Sequence, residues 1–205
     1  DIPFRTFKDQ VVYEKDEISK DDGSAYIVYT PYKNAWKKRY VNEQKMNETF
    51  DSESLLANLI PSKSVPLPTL DDIGFQNVLV DIPAKTVDDE MLAHYQERRD
   101  YPAVKNGTSG MSPHLRFGTV SPRELAKIGY HHNEKWLDEL VWREFYSMIL
   151  SQFPRVVEHA FREKYDHLPW RNDPDDFERW CNGKTGIPLV DAGMRQLVQT
   201  GHMHN

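Results

Sequence analysis

The chain has 205 residues, of which 39% are hydrophobic and 28% are charged, and its formal net charge is −6. This composition is typical of a globular protein with one or two domains. The negative net charge argues against a protein that binds nucleic acid over most of its surface, although a few Arg and Lys residues can still form a local basic groove. The single cysteine, Cys181, excludes an internal disulfide and favours a reducing compartment, the cytoplasm. No apolar run approaches the roughly 20 residues of a membrane span, so we expect no membrane partner.

The N-terminal part is predicted to contain one strand and one helix. Residues 25–30, AYIVYT, are β-branched and aromatic and lie between DDGS and Pro31, which predicts a short strand. Residues 34–46 are predicted to form a helix whose basic residues, Lys37, Lys38 and Arg39, make a solvated face. The first residue is not Met and no apolar leader is present, so the chain is expected to be an internal piece of a longer protein.

The middle of the chain reads as a connector. Residues 47–86 hold one candidate short helix, in SESLLANLIPS, and a loop rich in Pro and Ser, PSKSVPLPTLDDIG. A connector of this length is unusual inside a compact domain, so we expect a linker that lies across a surface.

From residue 87 onward the pattern becomes helical. TVDDEMLAHYQERRDY predicts a helix capped by Thr86, and SPREL predicts a second helix capped by Ser121 with Pro122 as its first residue. Two later helices are predicted over residues 173–182, with Gly183 as the stop, and 190–200.

The segment WLDELVWREFYSMIL, residues 136–150, predicts a helix with two unusual faces. One face is an ordinary apolar stripe, formed by Leu137, Val141, Phe145 and Met148. The opposite face carries Trp136, Glu139, Trp142, Arg143 and Tyr146. Either neighbouring parts of the chain cover this face, or it binds a flat apolar ligand with polar edges or extruded nucleic-acid bases.

Three other stretches resemble binding motifs in part. The loop NGTSGMS, residues 106–112, could wrap a phosphate through backbone N–H groups, but it is neither a P-loop nor a dinucleotide fingerprint. GKTGIPLVDAGMRQL also lacks the P-loop pattern, and Asp191 and Arg195 are predicted to form an ion pair on a helix surface. The histidines of HMH lack a ligand set with metal-site spacing, so no metal is expected.

Taken in order, several stretches resemble the DNA photolyase/cryptochrome family, most closely its cyclobutane-dimer-repairing class. They are YTPYKNAWKKR, HYQERRDYPA, GTSGMSPHLRFGTVSPREL, WLDELVWREFY, LPWRNDPDDFERWCNGKTGIPLVDAGMRQL and TGHMHN. The resemblance implies a mainly α chain containing the first half of a helical FAD-binding domain. Residues 1–30 would be the tail of an α/β antenna domain, residues 31–86 an interdomain linker with helices, and residues 87–205 the first half of the FAD-binding domain.

The resemblance also implies roles for individual residues. Contacts to FAD are expected from Tyr95, Thr108, Ser109, Gly110, Met111, Ser112, Trp136, Glu139 and Arg143. Contacts to damaged DNA are expected from Arg99, Glu139, Trp142, Arg143, Tyr146, His202 and Asn205. Glu139 would contact the dimer bases, and Trp170 would be the outermost member of an electron-transfer chain.

The resemblance implies light-driven repair of pyrimidine dimers by electron transfer from reduced FAD. The alternatives are a cryptochrome-type blue-light flavoprotein without repair, and a flavin-free helical scaffold. His202 departs from the family motif GWMHN, in which Trp helps to clamp the dimer. The basic residue that some family members use to bind a folate antenna is not found at Val157 and Glu158, so folate is not expected and the antenna pigment stays unassigned. The 205 residues alone are expected to be inactive and to self-associate through an exposed aromatic face.

Overall fold

The computed structural model describes residues 3–47, 51–59, 66–76, 78 and 81–204. Its eight α-helices in this part of the chain are α1 (Tyr29–Asn42), α2 (Asp89–Ala93), α3 (Tyr95–Arg98), α4 (Ser112–Phe117), α5 (Pro122–His132), α6 (Glu134–Gln152), α7 (Pro174–Cys181) and α8 (Pro188–Thr200). Short 3₁₀ helices lie at Lys45–Asn47, Glu53–Asn58, Asp71–Ile73, Pro154–Val157 and Glu163–Tyr165. The predicted mainly helical fold class is confirmed.

Helix α6 is the centre of the fold because both of its sides are packed. Its apolar stripe, including Leu137 and Val141, is buried against α1, as predicted, together with Val12, Tyr13 and Ile18 from the N-terminal segment. On its other side, Trp136 packs with α2, α3 and α5. The helix begins at Asn133, whose side chain accepts a hydrogen bond from the N–H of Trp136 at 3.0 Å.

Helices α5 and α6 approach closely at Gly129. A Cβ on Gly129 would lie 3.1 Å from the Cα of Leu137 and 3.1 Å from the ring of Trp136, so a larger residue would push the helices apart. This close crossing fixes where α6 presents Trp136.

The predicted strand at residues 25–30 is wrong. Helix α1 already begins at Tyr29, and the described residues contain an isolated bridge between Ser19 and Ala25 but no strand. Ile27 and Val28 are more than half exposed. Their β-branched side chains favour a strand only where a neighbouring strand offers pairing and packing, and none is present in the described ranges.

Other element boundaries also differ from the predictions. The helix predicted over 34–46 instead spans Tyr29–Asn42. Pro31 is tolerated in its first turn, because backbone N–H groups there have no acceptor within the helix and the lack of one costs nothing. The helix expected after Thr86 is split into α2 and α3, and α2 is capped by Asp88, whose side chain accepts from the N–H of Glu90 at 2.9 Å. Residues 48–50, 60–65, 77, 79 and 80 of the predicted connector lie outside the described residues.

The basic face predicted on α1 is only partly solvated. Lys37 pairs with Glu134 at 2.8 Å and with Asp138, and Lys33 pairs with Asp138 at 3.1 Å, so both lysines link α1 to α6. The predicted ion pair between Asp191 and Arg195 is likewise wrong.

The carboxylate of Asp191 instead accepts from Thr185 and from the N–H of Gly186, while Arg195 donates to the carbonyl of Gly183 at 2.9 Å. The Gly-bounded turn before α8 thus has enough local donors and acceptors to separate the two charges.

No helix in the described ranges is long and apolar enough to cross a membrane. Among the same residues, His, Cys, Asp and Glu side chains form no group of three or more that could hold a metal ion.

Candidate functional site

A cavity of about 600 Å³ opens between α3, the loop before α4, α6 and the C-terminal residues. It lies over the face of α6 that carries Trp136, Glu139 and Arg143. All nine residues predicted to contact a cofactor line it: Tyr95, Thr108, Ser109, Gly110, Met111, Ser112, Trp136, Glu139 and Arg143. A cavity of this size is within the usual range for small-molecule sites.

The loop on one side of the cavity has free hydrogen-bond donors. Within the described part of the chain, no hydrogen bond occupies the backbone N–H groups of Ser109, Gly110 and Met111. Gly110 has a φ of +65°, and a Cβ there would lie 2.9 Å from the Cβ of Pro83. The ring of Pro83 therefore packs directly over the loop, and glycine satisfies both the backbone conformation and the space.

His114 holds Pro83 in that position. Its Nε2 donates to the carbonyl of Pro83 at 2.7 Å, and its Nδ1 accepts from the hydroxyl of Thr119 at 2.8 Å. His114 is itself buried. The shape of the loop thus depends on a segment about 30 residues earlier in the chain.

The floor and one wall of the cavity combine an aromatic ring with an ion pair. Trp136 is 3% exposed and packs against Tyr95 and Met111. The guanidinium of Arg99 pairs with Glu139 and lies 5.3 Å from the ring centroid of Tyr95. Burial, with the nearby Glu139 carboxylate adding to it, raises the pKa of the Tyr95 hydroxyl to about 12, so this hydroxyl stays protonated at neutral pH.

The predicted DNA-contacting residues fall into two groups. Arg99, Glu139, Arg143 and His202 line the cavity. Trp142 and Tyr146 lie outside its lining and stack on each other, with ring centroids 5.4 Å apart, while Trp142 also stacks on Tyr29 at 3.4 Å. Asn205 lies outside the described residues.

Trp170 and Tyr146 are both accessible from solvent. Trp170 is 70% exposed, in the irregular stretch before α7, and is not part of the cavity lining. Tyr146 is 62% exposed.

The aromatic face of α6 is less exposed than the sequence predicted. Trp136 is buried by α2, α3 and α5, and Trp142 is partly covered by Tyr29. The expected exposure is therefore wrong for Trp136. Of the aromatic residues on this face, only Tyr146 and the partly covered Trp142 could take part in the expected self-association.

Two residues at the site were not identified from the sequence. Gln10 lines the cavity, and the buried Glu144 accepts hydrogen bonds from Val12, Tyr13 and Trp36. The burial of Glu144 could have been predicted from the sequence, because this residue lies three positions after Val141 and so falls within the apolar stripe. A carboxylate at such a position needs hydrogen-bond partners. No sequence pattern predicts that Gln10 lies at the cavity, because it belongs to an irregular segment that is distant in sequence from the other lining residues.

Comparisons with known proteins agree with these features. Residues 136–205 match the family model described as the FAD binding domain of DNA photolyase. The deoxyribodipyrimidine photo-lyase of Alkalihalophilus pseudofirmus is 35% identical over 228 residues, covering 100% of this chain and 46% of that protein. The corresponding protein of Vibrio cholerae is 33% identical over 222 residues, covering 100% of this chain and 47% of that protein.

A solved structure is similar in fold. The cryptochrome of a Synechocystis species is 22% identical, with a TM-score of 0.66 over 96% of this chain and 44% of that one, a likeness that shows the fold alone. The chain spans less than half the length of the curated relatives it matches. Over residues 136–205 the chain is thus similar to the FAD binding domain of DNA photolyase, and over its whole length it is similar to deoxyribodipyrimidine photo-lyases.

Proposed function

We propose that the full-length protein binds FAD in this cavity and uses it to split pyrimidine dimers in DNA under blue light. The proposal concerns the full-length protein because the chain spans less than half of its curated relatives. The observation that carries it is the convergence of all nine predicted cofactor residues, which come from α3, the 108–112 loop and α6, on one cavity.

The residues around the cavity fit the chemistry of FAD. The unoccupied N–H groups of Ser109, Gly110 and Met111 can donate to a diphosphate, because successive backbone donors without side-chain bulk form anion sites. The ring of Trp136 is almost fully buried, so it supports the floor of the cavity by packing under Tyr95 and Met111, which also line the cavity. Bound FAD, in its reduced form, would supply the electron that opens the dimer.

Damaged DNA would approach at the cavity mouth. The three arginines that line the cavity, Arg99, Arg116 and Arg143, outnumber its two carboxylates, Asp100 and Glu139, by one charge, and this local excess favours contact with the phosphate backbone. Arg99 is held by Glu139, so its guanidinium is oriented before any substrate arrives. Glu139 would then accept hydrogen bonds from the bases of an extruded dimer, a step that costs least where the bases are already poorly stacked.

Trp142 and Trp170 carry the roles inferred from the resemblance. Trp142, stacked between Tyr29 and Tyr146, would form an aromatic wall beside the extruded dimer. Trp170, exposed to solvent, would accept an electron from outside and pass it inward during reduction of the cofactor. Neither residue is needed to hold FAD.

A cryptochrome-type flavoprotein without repair is the second candidate. His202 favours it, because this position lines the cavity and carries less stacking area than the Trp of the family motif. A flavin-free helical scaffold is the third.

One experiment separates the three candidates. The full-length protein is purified, its absorption spectrum is recorded, and it is chemically reduced and illuminated with an oligonucleotide that contains one thymine dimer. Flavin with light-dependent repair supports our proposal, whereas flavin without repair indicates the cryptochrome-type function. A spectrum without flavin indicates the scaffold.

A further inference from the structure

The segment formed by residues 8–13 packs on α5 and α6, with Gln10 at the cavity and Val12 and Tyr13 in the core, and it is held by three side chains. Arg123 of α5 donates to the carbonyl of Lys8 at 2.9 Å and to that of Asp9 at 3.3 Å. Arg143 of α6 donates to the carbonyl of Gln10 at 2.6 Å. The next residue of α6, Glu144, accepts from the backbone N–H groups at the far end of the segment, those of Val12 and Tyr13.

The attachment to Glu144 is buried and is braced by α1. The carboxylate of Glu144 also accepts from the indole N–H of Trp36 at 2.7 Å, and both side chains are buried. A buried carboxylate that loses its donors is costly, so this attachment constrains where the 8–13 segment can lie. The carbonyl of Gln10, two residues before Val12, is fixed from the same helix by Arg143.

This arrangement places Gln10 on the cavity. Gln10 lines it together with Arg143 and Ser147, and its side chain is exposed. Among the described residues, its side-chain amide forms no hydrogen bond, although its own backbone is held. The amide therefore offers one acceptor and two donor hydrogens to whatever occupies the cavity.

We propose that Gln10 is a ligand-contacting residue of this cavity, whose side-chain amide hydrogen-bonds a polar edge of bound FAD, and that Glu144 is the positioning residue that keeps it there. The inference rests on the proposed function for the identity of the ligand. It also assigns the 8–13 segment, expected from the resemblance to be part of an antenna-domain tail, a second role as a wall of the cofactor cavity.

The test is a titration of FAD into full-length apoprotein, followed by quenching of flavin fluorescence. Gln10→Ala should raise the Kd for FAD about 3- to 10-fold, the effect of one lost hydrogen bond, and leave the melting temperature of the apoprotein unchanged. The matched control is Gln152→Ala. Gln152 donates to the carbonyl of Lys15 in the same N-terminal region, at 3.2 Å, but does not line the cavity. The Kd of Gln152→Ala for FAD should therefore equal that of the wild type.

The role of Glu144 is tested by a double-mutant cycle. Glu144→Gln should speed hydrogen exchange at the amides of Val12 and Tyr13 and weaken FAD binding, and adding Gln10→Ala should then weaken it little further. A merely structural role predicts additive losses. If Glu144→Gln fails to fold, Glu144→Asp, which keeps the charge and shortens the reach, takes its place in the cycle.

The outcomes distinguish this inference from the proposed function. Wild-type protein that binds no FAD overturns the proposed function and the inference with it. Wild-type protein that binds FAD, with an unchanged Kd in Gln10→Ala, overturns the ligand contact alone. Additive losses in the cycle overturn the positioning role of Glu144 and leave the contact standing.

Discussion

The indole N–H of Trp36 donates to the carboxylate of Glu144 at 2.7 Å, across 108 residues of sequence and between two buried side chains. Burial raises the pKa of Glu144 to about 7, while its hydrogen-bond donors act in the opposite direction. The carboxylate that joins α1, α6 and the 8–13 segment therefore titrates near neutral pH.

We predict that the Glu144 contribution makes the fold more stable in mild acid. The folded protein holds this proton more tightly than the unfolded chain, whose pKa is near 4.5. The contribution is thus fully present below that pH and is lost as the pH rises through about 7, with a size on the order of 1 to 3 kcal/mol.

Urea unfolding at pH 5 and at pH 8 measures this contribution. Glu144→Gln should remove part of the fall in the free energy of unfolding between the two pH values. The exposed Glu158→Gln serves as the control and should keep the wild-type dependence. A wild-type dependence that persists in Glu144→Gln would contradict the titration of this residue.

Replacing Gly110 by alanine is expected to weaken FAD binding by at least 10-fold. The added Cβ would lie 2.9 Å from Pro83, and the φ of +65° disfavours any residue with a Cβ, so the loop must shift away from its donor geometry. Flavin titration of the variant measures the effect. Gly118→Ala is the control, since Gly118 has a similar φ of +64° but no atom within 4 Å of the added Cβ. Equal losses in both variants would mean that backbone strain, not the shape of the cavity, accounts for the change.

Trp142→Ala should weaken binding of dimer-containing DNA about 5- to 150-fold, because stacking of a base on an aromatic ring contributes roughly 1–3 kcal/mol. FAD should remain bound, since Trp142 does not line the cavity. Gel-shift titrations with damaged and intact duplexes measure the discrimination. Trp180→Ala, at another partly exposed tryptophan, should bind like the wild type. Unchanged discrimination in Trp142→Ala, or loss of FAD together with stability, would indicate that Trp142 only packs against Tyr29.

Trp170→Phe should slow photoreduction of oxidised flavin and spare repair by protein that is already reduced. Trp170 is 70% exposed, so the substitution removes little packing. The two rates are measured by flavin absorbance under blue light and by dimer loss from an oligonucleotide. Lost repair in the prereduced variant would point to a packing role.

The sequence was most informative where local pattern decides structure. The stripe that begins at Leu137 predicted the buried face of α6, and Ser121 with Pro122 predicted the start of α5, because periodicity and capping act within a few residues. The grouping of Tyr95 with Trp136 came from the family resemblance, since no local pattern links residues 41 positions apart.

Contacts between distant segments explain what the sequence did not show. Ile27 and Val28 have strand-like composition, but in the described ranges no second strand pairs with them. Gln10 lies in an irregular segment, and only its contacts with α6, 133 residues later, bring it to the cavity. Residues separated in this way share no periodicity from which their proximity can be inferred.

The assignment of the cavity as an FAD site is tested by the amount of FAD bound per protein, with and without a large side chain in the 108–112 loop. Full-length wild type, Ser109→Trp and Ser151→Trp are purified and their flavin-to-protein ratios are measured by absorbance. Ser109 lines the cavity, whereas Ser151 is exposed near the end of α6 and does not. We expect about one FAD per chain in the wild type and in Ser151→Trp, and none in Ser109→Trp, since an indole would fill the space next to the loop. Stoichiometric FAD retained by Ser109→Trp would contradict it.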